Sequence, residues 1–278
     1  MNRPSQDVNS IITSTRNRRV VEARKLTHRK HRKRQGRFLV EGLQIIHMAL
    51  DAGARPIDVF YCEDCFTGPE AQALLKRLRA AGASLIPVAR HVMKSLSERD
   101  EPQGLVVTFA LFEHTLEDLH LPGRALLLIL DRLQDPGNLG TLIRTADAVG
   151  ARAVILIEPC VDPFDPKTVR GTMGSLFNVP LVRTNDVEGV FRWLEAHHVN
   201  VVGADAKQGR EWGEGLWEGR VALVLGNEAR GLSSDVRAHI RDYARLPIVG
   251  KAESLNVAVA GGVLMYLWLK AQWDVQRG

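Results

Sequence analysis

The chain has 278 residues, of which 45% are hydrophobic and 25% charged, a composition typical of globular proteins and unlike that of disordered ones. No apolar run is long enough to span a bilayer and the first residues lack a secretory signal, so we expect a cytoplasmic protein that does not enter a membrane. The length exceeds that of the commonest single domains and favours two.

The formal net charge of +5 is concentrated in one part of the chain. Residues 16–37 contain 11 Lys or Arg and one acid, Glu22, so this tract carries +10 and the rest of the chain −5. Such a cluster attracts phosphates and releases counterions when it binds a nucleic acid. A solvated arm or a localisation signal is the alternative. Because the remainder is acidic, we predict a nucleic-acid-binding basic arm over residues 1–37.

Residues 38–112 have the pattern of a small α/β domain. Apolar residues at helical spacing predict a helix that starts near Leu39 and runs through FLVEGLQIIHMALDAG. Charged and turn-forming residues predict a linker over 113–124. The elements expected between helix and linker are a strand over 57–61, a helix over 69–81, a strand over 84–88, a short helix and a final strand.

Three cysteines, Cys62, Cys65 and Cys160, make an odd total. Only the first two lie close in sequence, and a lone Cys-x-x-Cys without a second pair or nearby histidines is weak evidence for zinc. The pattern implies no disulfide framework and no metal site. We interpret the cysteines as unreactive thiols, with a redox pair at Cys62 and Cys65 as the alternative.

From Ala125 onward, strands and helices alternate as in a parallel sheet covered by helices on both faces. The final helix, over 255–275, is apolar nearly all round in its first half and should be buried or form an oligomer contact. The predicted strands of this region cover 125–130, 153–157, 180–183, 199–204, 221–225 and 244–248.

Two segments of this region join a strand to a polar turn, as expected where chemistry lies beyond strand ends. In LDRLQDPGNLGTLIRTADAVGA, Asn138 is expected to cap a helix, and Arg144 lies off the core face of that helix. In VALVLGNEARGLSSDV, Gly226 lets a ligand approach the backbone closely, and Glu228 occupies the turn. For each residue alone, a capping, solvated or structural role is an alternative to function.

A third polar segment, LPIVGKAESLNVAVAGG, connects the last strand to the final helix. Either Ser254 or Asn256 is expected to cap that helix. Small residues follow, among them Gly261 and Gly262, which allow close packing in the core or at a dimer face. The three segments together predict one composite site.

In this order, the phrases DRLQDPGNLGTLIRTADAVGA, LVLGNEARGLS and LPIVGKAESLNVAVA closely resemble the three signature motifs of the SpoU (TrmH-type) RNA ribose 2′-O-methyltransferases of the SPOUT superfamily. The resemblance covers residues 125–278, and the region from RFLVEG looks like the substrate-binding domain often fused in this family. It implies a mostly parallel α/β sheet with a C-terminal trefoil knot, plus a small N-terminal α/β RNA-binding domain. The general avoidance of knots would instead have favoured an ordinary doubly wound sheet.

The resemblance also implies S-adenosylmethionine as cofactor and a homodimer whose interface helps form the active site. Family proposals make the arginine matched by Arg144 a general base, whereas a permanently protonated guanidinium favours holding RNA phosphate and stabilising an alkoxide. Both roles stay open. Arg170 and Ser175 are further candidates for facing RNA or the partner. The matched catalytic residues are Asn138, Arg144, Glu228, Ser254 and Asn256, and the expected backbone contacts to the cofactor are Leu225, Gly226, Leu246, Ile248 and Leu255.

The reaction implied is methylation of a ribose 2′-hydroxyl in structured RNA, with ribosomal RNA as the favoured substrate. The alternatives are a transfer RNA methyltransferase and a non-catalytic RNA-binding factor in ribosome assembly. A protein that only binds RNA would not need all five matched catalytic residues, so their presence favours the enzyme.

Overall fold

The computed structural model describes residues 10–277 and divides into two compact units. The first unit combines the chain up to Leu111 with the segment Phe164–Phe177. The second unit combines Phe112–Pro163 with the chain from Asn178 onward. The segment 164–177 therefore packs with the first unit, although it lies between two strands of the second in sequence.

The first unit is built on a four-stranded mixed sheet in the order β1-β4-β2-β3. Strands β1 and β2 are antiparallel to β4, and β3 is parallel to β2. This is the small N-terminal α/β domain expected from the sequence. Its strands are β1 (Arg37–Glu41), β2 (Pro56–Tyr61), β3 (Ser84–Pro87) and β4 (Leu105–Ala110), and its helices up to β4 are α1 (Arg18–Arg24), α2 (Arg29–Gln35), α3 (Leu43–Asp51), α4 (Pro69–Ala80) and α5 (Arg90–Leu96).

The second unit is built on a seven-stranded sheet in the order β7-β6-β5-β10-β8-β11-β9, and every neighbouring pair in it is parallel. The predicted parallel α/β sheet is confirmed. Its strands are β5 (Ala125–Asp131), β6 (Ala153–Ile157), β7 (Leu181–Thr184), β8 (Asn200–Ala204), β9 (Arg210–Glu211), β10 (Arg220–Leu225) and β11 (Asp242–Arg245). The remaining helices are α6 (Pro136–Ala148), α7 (Pro166–Thr172, in the first unit), α8 (Val187–Ala196), α9 (Ser234–Arg237) and α10 (Val257–Arg277).

One predicted element is wrong at its start. The helical spacing predicts that Leu39 lies in a helix, but Leu39 lies in β1, opposite Thr108 of β4, and the helix begins only at Leu43. The turn between them is made by Gly42 with a φ of 124°. Because four of the five residues of β1 are buried, the strand lacks the apolar/polar alternation that separates a strand from a helix in sequence.

The basic tract is folded into the first unit over its described part. Val20, Ala23 and Leu26 are fully buried in the same core cluster as Phe60 of β2. Helix α2 ends at Gly36, which adopts the left-handed conformation that glycine favours at helix ends. The first nine residues of the predicted arm lie outside the described residues.

The cysteines differ from the favoured interpretation. Cys62 and Cys65 are joined in a disulfide just beyond β2, so the alternative of a redox pair describes them better than free thiols do. Cys160 is free and buried, and burial raises the pKa of its thiol to about 12. A thiol with so high a pKa is not a reactive nucleophile at neutral pH.

The segment 164–177 packs through aromatic residues of the first unit. The ring of Phe164 lies 4.8 Å from that of Phe38, and the ring of Phe177 lies 5.5 Å from that of Phe109. Within the segment, Ser175 is buried, so the expectation that it faces RNA or a partner is wrong. Its other candidate, Arg170, forms an ion pair of 2.8 Å with Glu98 of the same unit.

No helix within residues 10–277 combines the length and the apolarity needed to cross a membrane. Within the same residues, no three His, Cys, Asp or Glu side chains come together in a way that would hold a metal ion.

Candidate active site

A cavity of roughly 1130 Å³ opens at the carboxyl edge of the second unit's sheet. Residues that end or follow β5, β8, β10 and β11 line it, together with the start of α10. This is the edge at which parallel α/β sheets bind their ligands. Nine of the ten predicted site residues line the cavity: Leu225, Gly226, Glu228, Asn138, Leu246, Ile248, Ser254, Leu255 and Asn256.

A hydrogen-bonded network joins the three predicted motifs. The Asn138 side-chain amide donates to Glu228 Oε1 at 3.1 Å, and the Asn256 side-chain amide donates to Asn138 Oδ1 at 3.0 Å. These partners are 90 and 118 residues apart in sequence. Glu228 also accepts hydrogen bonds from the backbone N–H groups of Asp135, at 3.0 Å, and Gln134, at 3.2 Å. The network fixes all three loops around one cavity.

The helix caps around this network differ in part from the sequence prediction. Asp135, and not Asn138, caps α6, since Asp135 Oδ1 accepts the backbone N–H of Asn138 at 2.7 Å. The Asn138 side chain is therefore available for the network. At α10, Asn256 is the cap, because its Oδ1 accepts the backbone N–H groups of Ala258 and Val259 at 2.9 and 3.2 Å.

The loop that carries Glu228 is closed on itself. Asn227 and Gly231 exchange two backbone hydrogen bonds, and Asn227 Oδ1 accepts the backbone N–H groups of Ala229 and Arg230. A Cβ on Gly226 would lie 2.3 Å from the carbonyl carbon of Gly231. The glycine is thus needed for closure of this loop. Gly226 also lines the cavity, so the prediction that it leaves space for a ligand stays a prediction.

The environment of Glu228 keeps it ionised. Partial burial by itself raises the pKa of this carboxyl, but the hydrogen bonds from Asn138 and from the backbone amides of Asp135 and Gln134 outweigh burial. The net effect is a pKa below the ordinary value for glutamate. A general base works best with a pKa near the working pH. Glu228 is therefore suited to holding the loops rather than to accepting a proton.

Other residues that line the cavity suit a ligand with an apolar ring and several polar groups. Leu225, Leu246 and Leu264 line the cavity with apolar side chains. The backbone groups of Ile248 and Leu255, on the loop before α10, make no hydrogen bond to another backbone group among the described residues. Adenine and the amino-acid part of S-adenosylmethionine offer partners for such groups, so the residues present fit this cofactor.

The cavity lining also contains a polar pair, Asp205 and Arg237, that none of the three sequence motifs includes. Asp205 follows β8, and its carboxylate accepts a hydrogen bond from Arg237 at 3.1 Å and one from the backbone N–H of Lys207 at 2.9 Å. Burial raises the pKa of Asp205, but these bonds outweigh it and lower the pKa overall. Only its position in the sequence could have indicated Asp205. It comes directly after a strand whose carboxyl end lies at the edge of the sheet where the cavity opens.

Arg144 is the one predicted site residue that does not line the cavity. It is exposed on α6 and makes no side-chain hydrogen bond or ion pair with any other residue that the structure describes. Its neighbour Thr145 lies against α10, with its methyl group 3.9 Å from where a Cβ on Gly262 would stand. Within one chain, Arg144 is therefore separate from the network of Asn138, Glu228 and Asn256.

Helix α10 packs closely against the sheet and α6 through a glycine. A Cβ on Gly261 would lie 2.5 Å from Leu225 Cδ1 and 2.7 Å from Leu142 Cδ2. The close packing anticipated for the small residues of α10 therefore involves the core at this position. It also holds the start of α10, with Asn256, beside the end of β10.

Comparisons with known proteins agree with this architecture. The family model described as SpoU rRNA Methylase matches residues 125–266, and the model of an MRM3-like substrate binding domain matches residues 17–107. The second match begins inside the basic tract. The two matches together span both units of the fold.

Two curated relatives and one solved structure are similar over nearly the whole chain. A 23S rRNA (guanosine(2553)-2′-O)-methyltransferase of Bacillus subtilis, RlmP, is 32% identical over 92% of this chain and 97% of its own. A 23S rRNA (uridine(2479)-2′-O)-methyltransferase of Streptomyces viridochromogenes is 32% identical over 87% of this chain and 85% of its own. An AdoMet-bound rRNA methyltransferase from Sinorhizobium meliloti has a TM-score of 0.87 at 34% identity and covers 95% of this chain and 99% of its own.

The three sequence motifs, the parallel sheet and the family match thus support the same family assignment. The match covers more than half of the chain, and the relatives are similar along almost their full length. The chain belongs to the SpoU rRNA Methylase family.

Proposed function

We propose that this protein methylates a ribose 2′-hydroxyl of ribosomal RNA with S-adenosylmethionine as methyl donor. The observation that carries the proposal is the network of Glu228, Asn138 and Asn256, which draws the three family motifs around one cavity. An RNA-binding protein without catalysis would have no need for a cavity assembled in this way. The 2′-hydroxyl is also the group that distinguishes RNA from DNA.

The cavity is proposed to hold the cofactor through backbone groups and apolar side chains. The backbone of Ile248 and Leu255 supplies donors and acceptors, and Leu225 and Leu246 cover apolar surface. Gly226 maintains the shape of the loop at the end of β10. When bound, S-adenosylmethionine supplies an electrophilic methyl group on a sulfonium centre.

Three of the candidate catalytic residues are proposed to act by positioning. Glu228, Asn138 and Asn256 bond to one another and to backbone groups, so their polar atoms are occupied. Ser254 is different, because it lines the cavity and its hydroxyl makes no hydrogen bond to any residue described in the structure. We assign Ser254 to contact with the reacting groups. Positioning of this kind lowers the barrier by pre-orienting the reactants.

Arg144 is proposed to act in the cavity of a second subunit. It is exposed, does not line the cavity of its own chain, and follows Ile143 and precedes Thr145, the residue that lies against α10. Helix α10 presents a row of exposed apolar side chains on one face, at Val259, Val263, Tyr266 and Trp273. Such a row is suited to packing against its copy around a twofold axis. A homodimer would cover this face and carry Arg144 to the partner, as the family resemblance implies.

A methyl-transfer assay tests the proposal. Purified protein should transfer labelled methyl from S-adenosylmethionine to 23S ribosomal RNA transcribed in vitro, and mapping of 2′-O-methyl positions should find one site. The two curated relatives act on a guanosine and a uridine, so the nucleotide must be mapped directly. Methylation of transfer RNA alone, or RNA binding without transfer, would support the respective alternative. The trefoil knot and the cytoplasmic location remain predictions.

A further inference from the structure

Six charged residues of the described chain line the cavity, and they differ in whether their side chains are bonded within the fold. Each of the three acids accepts hydrogen bonds, and Arg237 donates one to Asp205. The other two residues are Lys207 and Arg230. Both are exposed, and neither side chain makes a hydrogen bond or ion pair with any residue from 10 to 277. The cavity therefore has two positive charges that the fold leaves unbonded.

Both unbonded cations lie on turns that a neighbouring side chain fixes. Asp205 Oδ1 accepts the backbone N–H of Lys207 at 2.9 Å, and Asn227 Oδ1 accepts that of Arg230 at 3.0 Å. Aspartate and asparagine commonly fix turns in this way. The backbone at both positions is thus ordered before a ligand binds, which lowers the entropy that binding costs.

The two turns are neighbours at one edge of the sheet. They follow β8 and β10, which are adjacent and parallel. Arg237 joins them, because its guanidinium donates to Asp205 Oδ2 at 3.1 Å and to the carbonyl oxygen of Leu232 at 3.2 Å. This bridge holds the two turns together at the cavity, and it leaves the two unbonded cations available to a ligand.

We propose that Lys207 and Arg230 form an anion site that binds a phosphate of the RNA backbone beside the ribose that is methylated. The identity of the anion as RNA phosphate rests on the proposed function. The cofactor suits these charges less well, because its sulfonium and ammonium groups outnumber its single carboxylate. Both cations lie outside residues 17–107, which match the substrate binding domain.

A phosphate held at the cavity would fix the position of the sugar joined to it. Phosphate contacts set the register of a nucleic acid on a protein without reading its sequence. Methyl transfer needs that register, since the attacking oxygen must be oriented toward the methyl group. Lys207 and Arg230 are therefore positioning residues for the substrate, in the same way that Glu228 and its partners are for the loops.

Salt dependence of RNA binding by the full-length protein tests the site. The double variant Lys207→Ala, Arg230→Ala removes two charges and breaks no side-chain bond among the described residues. The slope of log affinity for 23S ribosomal RNA against log salt should become shallower by roughly 1 to 2, with affinity lower by about tenfold near physiological salt. An unchanged slope would overturn the inference.

Arg124 and Arg152 provide a control with the same loss of charge. Both are exposed and directly precede β5 and β6, so they lie at the amino edge of the sheet, opposite the cavity. The variant Arg124→Ala, Arg152→Ala should keep the wild-type slope. If it loses as much slope as the test variant, binding follows net charge and the proposed site is wrong. The charge-retaining variant Lys207→Arg, Arg230→Lys should recover most of the lost affinity, and its failure to do so would also contradict the site.

Calorimetry with S-adenosylmethionine separates the two sources of an anion. The double variant should bind the cofactor as the wild type does. A loss of cofactor affinity with unchanged RNA affinity would assign the cations to the cofactor carboxylate and overturn the inference.

An RNA fragment with neutral methylphosphonate linkages on both sides of the mapped nucleotide tests the position of the contact. The wild type should bind it about as weakly as the double variant binds the unmodified fragment, and the double variant should bind both fragments alike. Equal losses in the two proteins would place the phosphate contact elsewhere and overturn the inference. The expected change in salt slope without any methyl transfer would contradict the proposed function and leave the anion site intact.

Discussion

The polar groups of the loops around the cavity and the exposed cations of the basic tract differ in how they are bonded. In the second unit, Glu228, Asn138 and Asn256 satisfy one another, and their bonds shape a cavity. In the first unit, neighbouring cations such as Lys30 and Lys33 stay exposed without partners among the described residues, above a turn fixed by buried Arg32. The groups that we propose to act by positioning are bonded to one another, whereas those that we propose to contact a ligand make no such bonds among the described residues.

Arg144 gives the strongest test. It belongs to the second unit, yet like the exposed cations of the basic tract its side chain makes no hydrogen bond or ion pair with a described residue. We expect Arg144→Ala to lower methyl transfer by about 10²-fold or more, the effect of removing a group that stabilises developing charge. Affinity for S-adenosylmethionine, measured by calorimetry, should be nearly unchanged because Arg144 does not line the cavity of its own chain. The control Arg124→Ala changes another exposed arginine of the unit and should keep activity. Retained turnover in Arg144→Ala would remove this residue from catalysis.

The proposed dimer makes a similar comparison possible for exposed apolar side chains. Tyr266 is 53% exposed on α10, and Tyr266→Asp would bury an unpaired charge if a second copy covers this face. We expect the dimer to weaken by about 2 kcal/mol or more, because a buried charge without a partner is costly. Light scattering coupled to gel filtration should then show monomer at concentrations where the wild type is dimeric.

An exposed aromatic outside α10 provides the control for this change. Trp212→Asp alters a side chain that is 50% exposed in the same unit and should leave the oligomeric state unchanged. If Tyr266→Asp remains dimeric, the row of apolar residues on α10 is not the interface.

Substitutions at Gly226 distinguish two roles for this residue, namely closing its own loop or leaving space for a ligand. The contact of an added Cβ is with the backbone of Gly231, so alanine and valine should both destabilise the protein, by about 1–3 kcal/mol, and both should weaken cofactor binding. Thermal denaturation and calorimetry measure the two effects. Gly250→Ala is the control, since a Cβ there meets nothing within 4 Å. A harmless alanine with a damaging valine would favour clearance of ligand space.

The smallest expected effect concerns Glu228 and pH. Its pKa in the folded protein is lower than the ordinary value of 4.5, so its ionised form stabilises the fold at neutral pH. This contribution is lost as the pH falls through the folded pKa. Because the side chain is partly exposed, we expect Glu228→Gln to cost about 1 kcal/mol at neutral pH. In urea unfolding, the difference between wild type and variant should shrink on acidification, and a constant difference would contradict the assignment.

Much of the fold follows from the sequence because parallel strands are short, continuous and apolar. The predicted strands 153–157 and 221–225 agree with β6 and β10 within one residue. The sequence did not reveal β9, since two residues carry no periodicity. It also could not separate β1 from a helix, because both of its faces are buried.

The candidate site was predictable to the extent that it lies at strand ends. Glu228 and Asn256 follow strands whose carboxyl ends share one edge, and the structure brings them to the same cavity. Partners were harder to predict than positions. Whether Asn138 caps its helix or bonds to a residue 90 positions away depends on tertiary contacts that no local pattern encodes.

The segment 164–177 has a consequence for how such a protein can be recombined. The polypeptide passes between the units three times, after Leu111, Pro163 and Phe177. Phe164, Val169 and Leu176 are buried and belong to the first unit, so cutting the gene at a single point would separate them from the rest of that unit. The first unit therefore cannot be cut out of the gene as one continuous segment. Its transfer to another methyltransferase requires two fragments, which are inserted at separate points of the recipient sequence.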